Sequence, residues 1–196
     1  QKDAPAAPHE TTAPEGPVAS DSVCGIEGYE TESTLTSAPE TEWSFIGTAP
    51  APSSDLSGPG VVESDGFRYC YSRTAAGALF AGVNFAALGT DVTFAPRMID
   101  LMAKGPGRDY LASQPIEGGG AAAPRLMIAG FKVLSYSADA ATVDIAVNLA
   151  GGRLSRMPLK LVWEDGDWKI VYTDDGKLPL APAGIANLGG YIPWGA

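Results

Sequence analysis

Residues 161–170 read LVWEDGDWKI, two apolar runs joined by a short acidic turn. Asp165 and Gly166 are the residue types that form a two-residue type I′ turn, because glycine adopts positive φ without steric cost. Such a turn sets Trp163 opposite Trp168 as a cross-strand aromatic pair on one face of the ladder. The stretch therefore predicts an antiparallel β-hairpin in the C-terminal half of the chain.

Further strands are predicted on the N-terminal side of this turn. Residues 126–137 and 142–149 are rich in strand-forming side chains, and the second segment alternates strictly between apolar and polar residues. Residues 154–164 continue the same pattern into the hairpin. One face of the predicted sheet is therefore apolar, and another layer must cover it. Its members are Val143, Ile145, Val147, Leu149, Leu161, Trp163, Trp168 and Ile170.

A helical pattern lies earlier in the chain. Thr74 is a predicted N-cap of a helix over 75–88, and Gly89 is expected at its C-terminal end. Asp91 is expected to cap a second helix that continues to residue 104. Helices followed by an antiparallel meander predict an α+β fold in which the helices pack on the apolar face.

The segment before these helices has a different pattern. An extended strand is expected over 61–72, where aromatic residues alternate with polar ones. Residues 23–60 form an irregular lead that is expected to be pinned to the core by Trp43 and by a bridge between two cysteines. Within the lead, the repeated prolines and serines of 49–54 predict a turn-rich connection.

Cys24 and Cys70 are the two cysteines of the chain, and neither belongs to a C-x-x-C pair. The single histidine, His9, lies in the N-terminal region, so a zinc site lacks ligands. A disulfide is the favoured interpretation, and two buried free thiols are the alternative. A disulfide would close a loop of roughly 45 residues, worth on the order of 3–4 kcal/mol in the chain-entropy model. Since disulfides persist outside the cytosol, we expect an extracytoplasmic protein, secreted or tethered at the cell envelope.

The domain organisation follows from composition. Residues 1–22 are rich in Pro, Ala, Thr and Glu and lack aromatic residues, which predicts a disordered acidic linker. Two roles remain open for this linker, a plain terminus or a spacer that holds the domain away from a membrane. Residues 23–196 are expected to form one domain that ends in a Pro/Gly-rich tail over 176–196. A signal peptide or an N-terminal anchor is expected to have preceded Gln1.

Charge narrows the classes of partner. The net charge is −10, and residues 1–42 contain nine acidic residues and one lysine. An acidic surface without a Lys/Arg cluster repels phosphate groups, so nucleic acid and anionic lipid headgroups are poor partners. We therefore expect a protein partner in the cell envelope, with membrane attachment only through an N-terminal anchor.

The pattern over 74–173 resembles the NTF2-like (cystatin-like) superfold, and the hairpin at 161–170 carries the strongest local likeness. The resemblance implies a curved antiparallel sheet of about four to six strands around an α-helical hairpin. More narrowly, Cys24-Gly25, the run YCYS at 69–72 and the closing YIPW at 191–194 resemble exported actinobacterial proteins of unknown function that are linked to mobile elements. Envelope subunits of conjugation channels use NTF2-like domains, so the resemblance implies a scaffolding role.

No motif in the sequence predicts catalysis, a cofactor or a bound metal. The sequence has no G-x-S-x-G elbow, and its paired acids fall in turns, where Asp serves local hydrogen bonding. Asp100, on the second predicted helix, is best interpreted as a solvated acid. If the space between helices and sheet is open, its predicted lining residues are Tyr110, Trp163, Trp168 and Tyr172.

Two functions remain as hypotheses. The first is a non-catalytic protein-binding or scaffold domain of the cell envelope, with a conjugation or secretion assembly as its candidate setting. Its candidate partner contacts are Trp43, Tyr191 and Trp194. For these aromatics the alternative role is to plug the open edge of the domain. The second function is binding of a small apolar ligand between helices and sheet. An interior filled by its own side chains favours the first function, and an open one favours the second.

Overall fold

The hairpin at 161–170 forms as predicted. The structure, a computed structural model, describes residues 22–115 and 125–196. Trp163 pairs with Trp168 and Glu164 with Asp167, and the two turn residues have φ of 55° and 76°. The turn chemistry therefore fixed both the position and the register of this ladder.

The fold is a mixed α+β arrangement. Its helices are α1 (Ala75–Leu88), a 3-10 helix (Val92–Leu101) and α2 (Pro106–Ser113). Its strands are β1 (Glu42–Ile46), β2 (Ala49–Ser53), β3 (Val61–Val62), β4 (Arg68–Tyr69), β5 (Leu126–Tyr136), β6 (Ala140–Leu149), β7 (Arg153–Glu164), β8 (Asp167–Ile170), β9 (Ala183–Gly184) and β10 (Ile192–Pro193). The main sheet is antiparallel with the order β10-β5-β6-β7-β8, and β9 pairs with β7.

Helix α1 covers the inner face of this sheet, as the apolar pattern predicts. Thr74 caps the helix, because its Oγ1 accepts the N–H of Gly77. Small residues bring the helix close to the strands: a Cβ on Gly82 would lie 3.2 Å from Val143 Cγ2 and 3.3 Å from Leu159 Cδ1. The main core forms at this contact, with Phe80, Val83, Phe131, Ile145, Leu161, Trp168 and Ile170 among its buried members.

The second predicted helix is shorter and of another type. Asp91 is its N-cap, as expected, but the segment is a 3-10 helix that ends at Leu101 rather than an α-helix that reaches residue 104. Pro96 lies inside it and has no N–H to donate, which disfavours a continuous α-helical ladder. Its buried residues Phe94, Met98 and Leu101 close a second, smaller apolar cluster.

The strand expected over 61–72 is wrong as a single element. The structure has two short strands there, β3 and β4, which pair with each other. The chain turns between them, where the N–H of Gly66 donates to the carbonyl of Glu63 at 2.9 Å. Asp65 and Gly66 are typical turn residues, and their effect outweighs the aromatic alternation around them.

The lead is less irregular than predicted. The turn-rich connection expected over 49–54 is wrong, because residues 49–53 form β2, which pairs along its length with β1. Pro50 and Pro52 alternate in β2, so both of their missing N–H groups fall on the same edge of the strand. The carbonyl of Pro52 accepts the side-chain amide of Asn84, 2.9 Å away, and this bond ties the hairpin to α1.

The predicted disulfide between Cys24 and Cys70 is confirmed, with a Cα–Cα distance of 6.2 Å. It joins the start of the lead to the residue after β4. The predicted linker lies outside the described residues, except for Ser22, which is buried and accepts the N–H of Ile26 at 2.6 Å. Among the helices at 22–115 and 125–196, none is long and apolar enough to cross a membrane.

Candidate functional site

The space between α1 and the sheet is filled by the protein's own side chains. The largest buried side chains there include Phe80, Phe131 and Trp168. The indole N–H of Trp168 donates to the carbonyl of Ser72 at 2.9 Å, so this polar group is satisfied inside the core. A cavity of about 10 Å³ remains beneath α1, in contact with Phe85 and Trp168. This volume holds a single water-sized particle and excludes an organic ligand.

The four residues predicted to line a pocket do not surround that cavity together. Trp168 lines it, and the other three lie elsewhere. Trp163 packs edge-on against Trp168 at 5.4 Å and faces the guanidinium of Arg73 on its other side. Tyr172 lies near Phe85, with ring centroids 6.4 Å apart. Tyr110 is exposed and stands over the backbone of the turn at Gly176.

Trp194 is part of the core. It is 7% exposed, and its ring centroid lies 4.8 Å from that of Trp43, 5.5 Å from Phe80 and 5.6 Å from Phe131. Its indole N–H donates to Thr41 Oγ1 at 2.9 Å. The interpretation of an exposed binding patch is therefore wrong for Trp194. Trp43 and Trp194 instead pack against each other and fill the space between the lead, α1 and the main sheet.

Tyr191 is anchored on the opposite, outer face of the sheet. Its hydroxyl donates to Asp144 Oδ2 at 2.8 Å, and the Arg156 guanidinium lies 2.9 Å from the same oxygen. Lys132 Nζ sits 4.0 Å from the centroid of the Tyr191 ring. Desolvation, with the hydrogen bond to Asp144, raises the pKa of Tyr191 to about 12. At neutral pH Tyr191 is therefore a neutral donor to a buried carboxylate.

The C-terminal tail thus wraps the edge of the sheet. It pairs with β7 through β9, passes Tyr191 over Asp144, pairs with β5 through β10 and inserts Trp194 at the inner face. Sequence alternation placed Asp144 on the polar face but gave no sign that the tail would bury it. The one available signal was a Tyr and a Trp three residues apart in a segment without other aromatics.

A second buried carboxylate, Asp167, binds the backbone of the loop that contains the disulfide residue Cys70. Its Oδ1 accepts the N–H groups of Tyr71 and Trp168, and its Oδ2 accepts that of Cys70, all at 2.9–3.0 Å. Burial raises the pKa of Asp167 above its usual value in spite of these three donors. Because its oxygens are engaged by backbone groups, the carboxyl serves to hold the Cys70 loop against β8.

Tyr29, an exposed aromatic residue near the start of the lead, lies at a junction that we call the lead-side surface. This surface is formed by Tyr29, Arg73, Asp139 and Trp163. The Arg73 guanidinium carbon is 5.4 Å from the centroids of both Tyr29 and Trp163. Arg73 also donates to the carboxylate of Asp139, which is largely exposed. Four distant segments, the lead, the residues before α1, the β5–β6 turn and β7, therefore bring aromatic, cationic and anionic groups together.

Comparison with known proteins gives a family and no function. A family model described as Domain of unknown function (DUF8175) matches residues 3–193. The chain belongs to that family. No curated protein matches the chain, and no solved structure matches it.

The described surface of this DUF8175 domain offers few clusters of titratable groups. Among residues 22–115 and 125–196, no group of three or more His, Cys, Asp or Glu side chains is placed to hold a metal ion. The two buried carboxylates hold the tail and the Cys70 loop, as described above. A groove of about 490 Å³ between the β1–β2 hairpin and the Asp55–Gly60 loop is lined by Glu40, Glu42 and Asp55. It is acidic and open to solvent.

Proposed function

We propose that this domain is a non-catalytic protein-binding or scaffold module of the cell envelope. The filled interior is the observation that carries the proposal. A cavity of about 10 Å³ beneath α1 leaves no room for a substrate or an apolar ligand in the region where the second hypothesis requires one. Recognition then falls to the outer surface of the domain.

The proposal includes an NTF2-like arrangement of the fold. It is supported by an antiparallel meander, β5 to β8, whose inner face packs on α1, and by a second helical segment that follows α1 directly. The extracytoplasmic location is supported by the disulfide, since such bonds persist in oxidising compartments. Within this proposal, the partner belongs to a conjugation or secretion assembly of an actinobacterial envelope, as the sequence resemblance implies.

We place the partner contact at the lead-side surface. Tyr29 is 52% exposed and Trp163 is half-buried beside it, with Arg73 between the two rings. Aromatic residues and arginine are enriched at the energetic centres of protein interfaces. Tyr191 and Trp194, which the sequence analysis also nominated, are engaged by the domain itself.

The test is affinity capture from envelope extract, with quantitative mass spectrometry, using wild type, Tyr29→Ala and Tyr110→Ala. Tyr110 is a matched control because it is a tyrosine of similar exposure, 45%, on α2. We expect a saturable envelope partner that Tyr29→Ala loses and Tyr110→Ala retains. Equal recovery of that partner with all three proteins would contradict the lead-side contact. The absence of any saturable partner would contradict the scaffold function itself.

A further inference from the structure

The two edges of the β1–β2 hairpin differ in their hydrogen bonding. In an antiparallel pair of strands, residue pairs that exchange two hydrogen bonds alternate with pairs that exchange none. Pro50 and Pro52 have no N–H to donate, so their pairs with β1 are the ones without hydrogen bonds. Their partners in β1 are Phe45 and Trp43, respectively. The backbone groups of these two β1 residues therefore point away from β2, to the outer edge of the hairpin.

The outer edge of β2 is covered, whereas that of β1 is open. Pro50 and Pro52 are buried, and β2 lies against α1 and β5. On β1, the N–H groups of Trp43 and Phe45 make no backbone hydrogen bond to any residue of 22–115 and 125–196. Strand β1 therefore has an unpaired edge, to which an extended peptide can add as a further strand.

The acidic groove begins at the N-terminal end of this open edge. Its volume is about 490 Å³, and Glu40 and Glu42 of the lead line it together with Asp55. All three acids are exposed, and none of them forms an ion pair within the described part of the chain. The lining contains no lysine or arginine, while Leu56 adds an exposed apolar side chain. Charge complementarity therefore favours a cationic occupant.

Strand geometry specifies how the side chains of the occupant would be arranged. Successive side chains of a strand point to opposite faces, so Trp43 and Phe45 share one face and Glu42 lies on the other. Trp43 packs on Trp194, but Phe45 is 56% exposed. The side chains of an added strand fall beside Phe45 on one face and beside Glu42 on the other. An extended segment in which apolar and cationic residues alternate fits both faces.

We propose that the outer edge of β1 binds an extended, basic segment of a protein partner as a third strand of the β1–β2 hairpin. The backbone groups of Trp43 and Phe45 pair with this segment, and its Lys or Arg side chains lie in the groove beside Glu42. This inference rests on the proposed protein-binding function. It does not rest on the lead-side surface, whose residues do not line the groove.

The first experiment titrates the full chain into a fluorescein-labelled peptide of about eight residues in which Lys and Val alternate. Fluorescence polarisation measures the affinity. We expect saturable binding that weakens as the salt concentration rises, because exposed charges are screened. A peptide in which Glu replaces Lys is expected not to bind. Equal binding of the two peptides, or binding of neither, would overturn the proposal.

Phe45→Pro and Phe45→Ala separate strand addition from side-chain contact. Both variants remove the ring, but only Phe45→Pro removes the outward N–H, and an edge strand tolerates proline at such a position. We expect Phe45→Pro to bind the Lys/Val peptide about fivefold more weakly than Phe45→Ala, which corresponds to the loss of one hydrogen bond. Equal affinities would overturn the proposal. If Phe45→Pro does not fold, amide hydrogen exchange of wild type decides, because the peptide should protect Trp43 and Phe45, and unchanged exchange would contradict strand addition.

The role of the groove is tested by reversing one of its charges. Glu42→Lys is expected to weaken the Lys/Val peptide by roughly fivefold at low salt, whereas Glu32→Lys, at an exposed acid outside the groove, should bind it nearly as wild type does. Equal weakening by both variants would reduce the effect to net charge and overturn the groove as the site.

Two further outcomes separate this inference from related ones. An envelope partner that Phe45→Pro captures as well as Phe45→Ala does would overturn the β1 site and leave the proposed function standing. A dimer seen by sedimentation for wild type and lost in Phe45→Pro would show that a second copy of this chain occupies the edge, and would overturn the basic partner.

Discussion

The first part of the lead (residues 23–41) and the tail (residues 176–196) are both largely irregular in conformation, yet the domain holds them in different ways. The lead is fastened by a covalent bond at Cys24 and by Glu30, whose carboxylate accepts the N–H of Ala75 at 2.9 Å. The tail is fastened by side chains, Tyr191 on the outer face of the sheet and Trp194 on the inner one. Two irregular segments are thus held by different kinds of contact, a covalent bond for the lead and buried side chains for the tail.

The difference assigns them different roles. The lead leaves Val23 and Tyr29 exposed, and this apolar and aromatic surface is where we propose a partner contact. The tail buries its large aromatic and completes the core. Exposed aromatic and apolar side chains on an anchored segment favour recognition of another molecule. A buried aromatic side chain at the edge of a sheet favours stability of the fold.

The largest expected effect is at the tail. Trp194→Ala removes an indole that contacts three aromatic rings, and we expect a loss of about 3–5 kcal/mol in the free energy of unfolding. Trp194→Phe keeps part of the packing and should cost clearly less. Urea denaturation monitored by fluorescence measures both. A loss below about 1 kcal/mol for the alanine variant would show that Trp194 contributes little to the core. The tail would then be no more structural than the lead.

Breaking the covalent anchor of the lead is expected to cost somewhat less. For the double variant Cys24→Ser with Cys70→Ser we expect a loss of about 3 kcal/mol, because the loop of the unfolded chain is no longer closed. Hydrogen exchange should then increase in the lead while α1 stays protected. Equal loss of protection in α1 would show that the lead is as integral to the core as the tail.

Asp167 provides a second test of how the lead is held, because its carboxyl group binds the backbone of Cys70. Asp167→Asn keeps one oxygen but presents an amide to the N–H of Cys70, which loses its acceptor, and we expect a loss of about 1–3 kcal/mol. Because burial raises the pKa of Asp167, the folded protein binds this proton more tightly than the unfolded chain. The stability advantage of wild type over the variant should therefore shrink as pH rises from the unfolded to the folded pKa.

Chemical denaturation at a series of pH values measures that advantage directly. Asp144→Asn serves as a comparison on the tail side, since Asp144 bonds to side chains rather than to the backbone of the Cys70 loop. If the stability difference between wild type and Asp167→Asn grew as pH rises, the pKa of Asp167 would be lowered rather than raised by folding.

A smaller effect is expected for Tyr191→Phe. The variant keeps the ring beneath Lys132 and removes the hydroxyl that donates to Asp144, so we expect a loss of about 1–2 kcal/mol. The remaining contact to Arg156 keeps Asp144 paired. A loss as large as that of Trp194→Ala, measured in the same way, would mean that the outer anchor dominates the tail.

The smallest stability effect is expected for Tyr29→Ala, at about 0.5–1 kcal/mol or less, because the residue is exposed and contributes one cation–π contact. A melting temperature within a few degrees of wild type is the expected result. This variant should therefore change partner binding without changing the fold. A large fall in the melting temperature would show that Tyr29 stabilises the fold, as Trp194 does, and would contradict its assignment to a binding surface.

Local signals predicted the local parts of the fold. The turn at Asp165 and Gly166 fixed the hairpin, and Thr74 fixed the start of α1. The 3-10 helix departed from the expected α-helix because Pro96 lies inside it. The β1–β2 hairpin was missed because Pro50 and Pro52 suggested a turn. Prolines two residues apart are compatible with a strand, since both missing N–H groups lie on the same edge.

The candidate sites could not be predicted in the same way, because each depends on contacts between distant segments. Tyr29, Arg73 and Trp163 meet only when the lead, the residues just before α1 and β7 assemble. Alternation assigns a residue to a face of a strand, but it does not reveal what later covers that face.

The position of Trp194 also governs when the domain can fold. Phe80 and Phe131 are synthesised well before it, and their apolar surfaces stay incompletely covered until the chain through residue 194 is available. Contacts of such long sequence separation slow folding, because a large loop must close before they form. A nascent chain of this kind therefore reaches its native state only after nearly all of it has been synthesised.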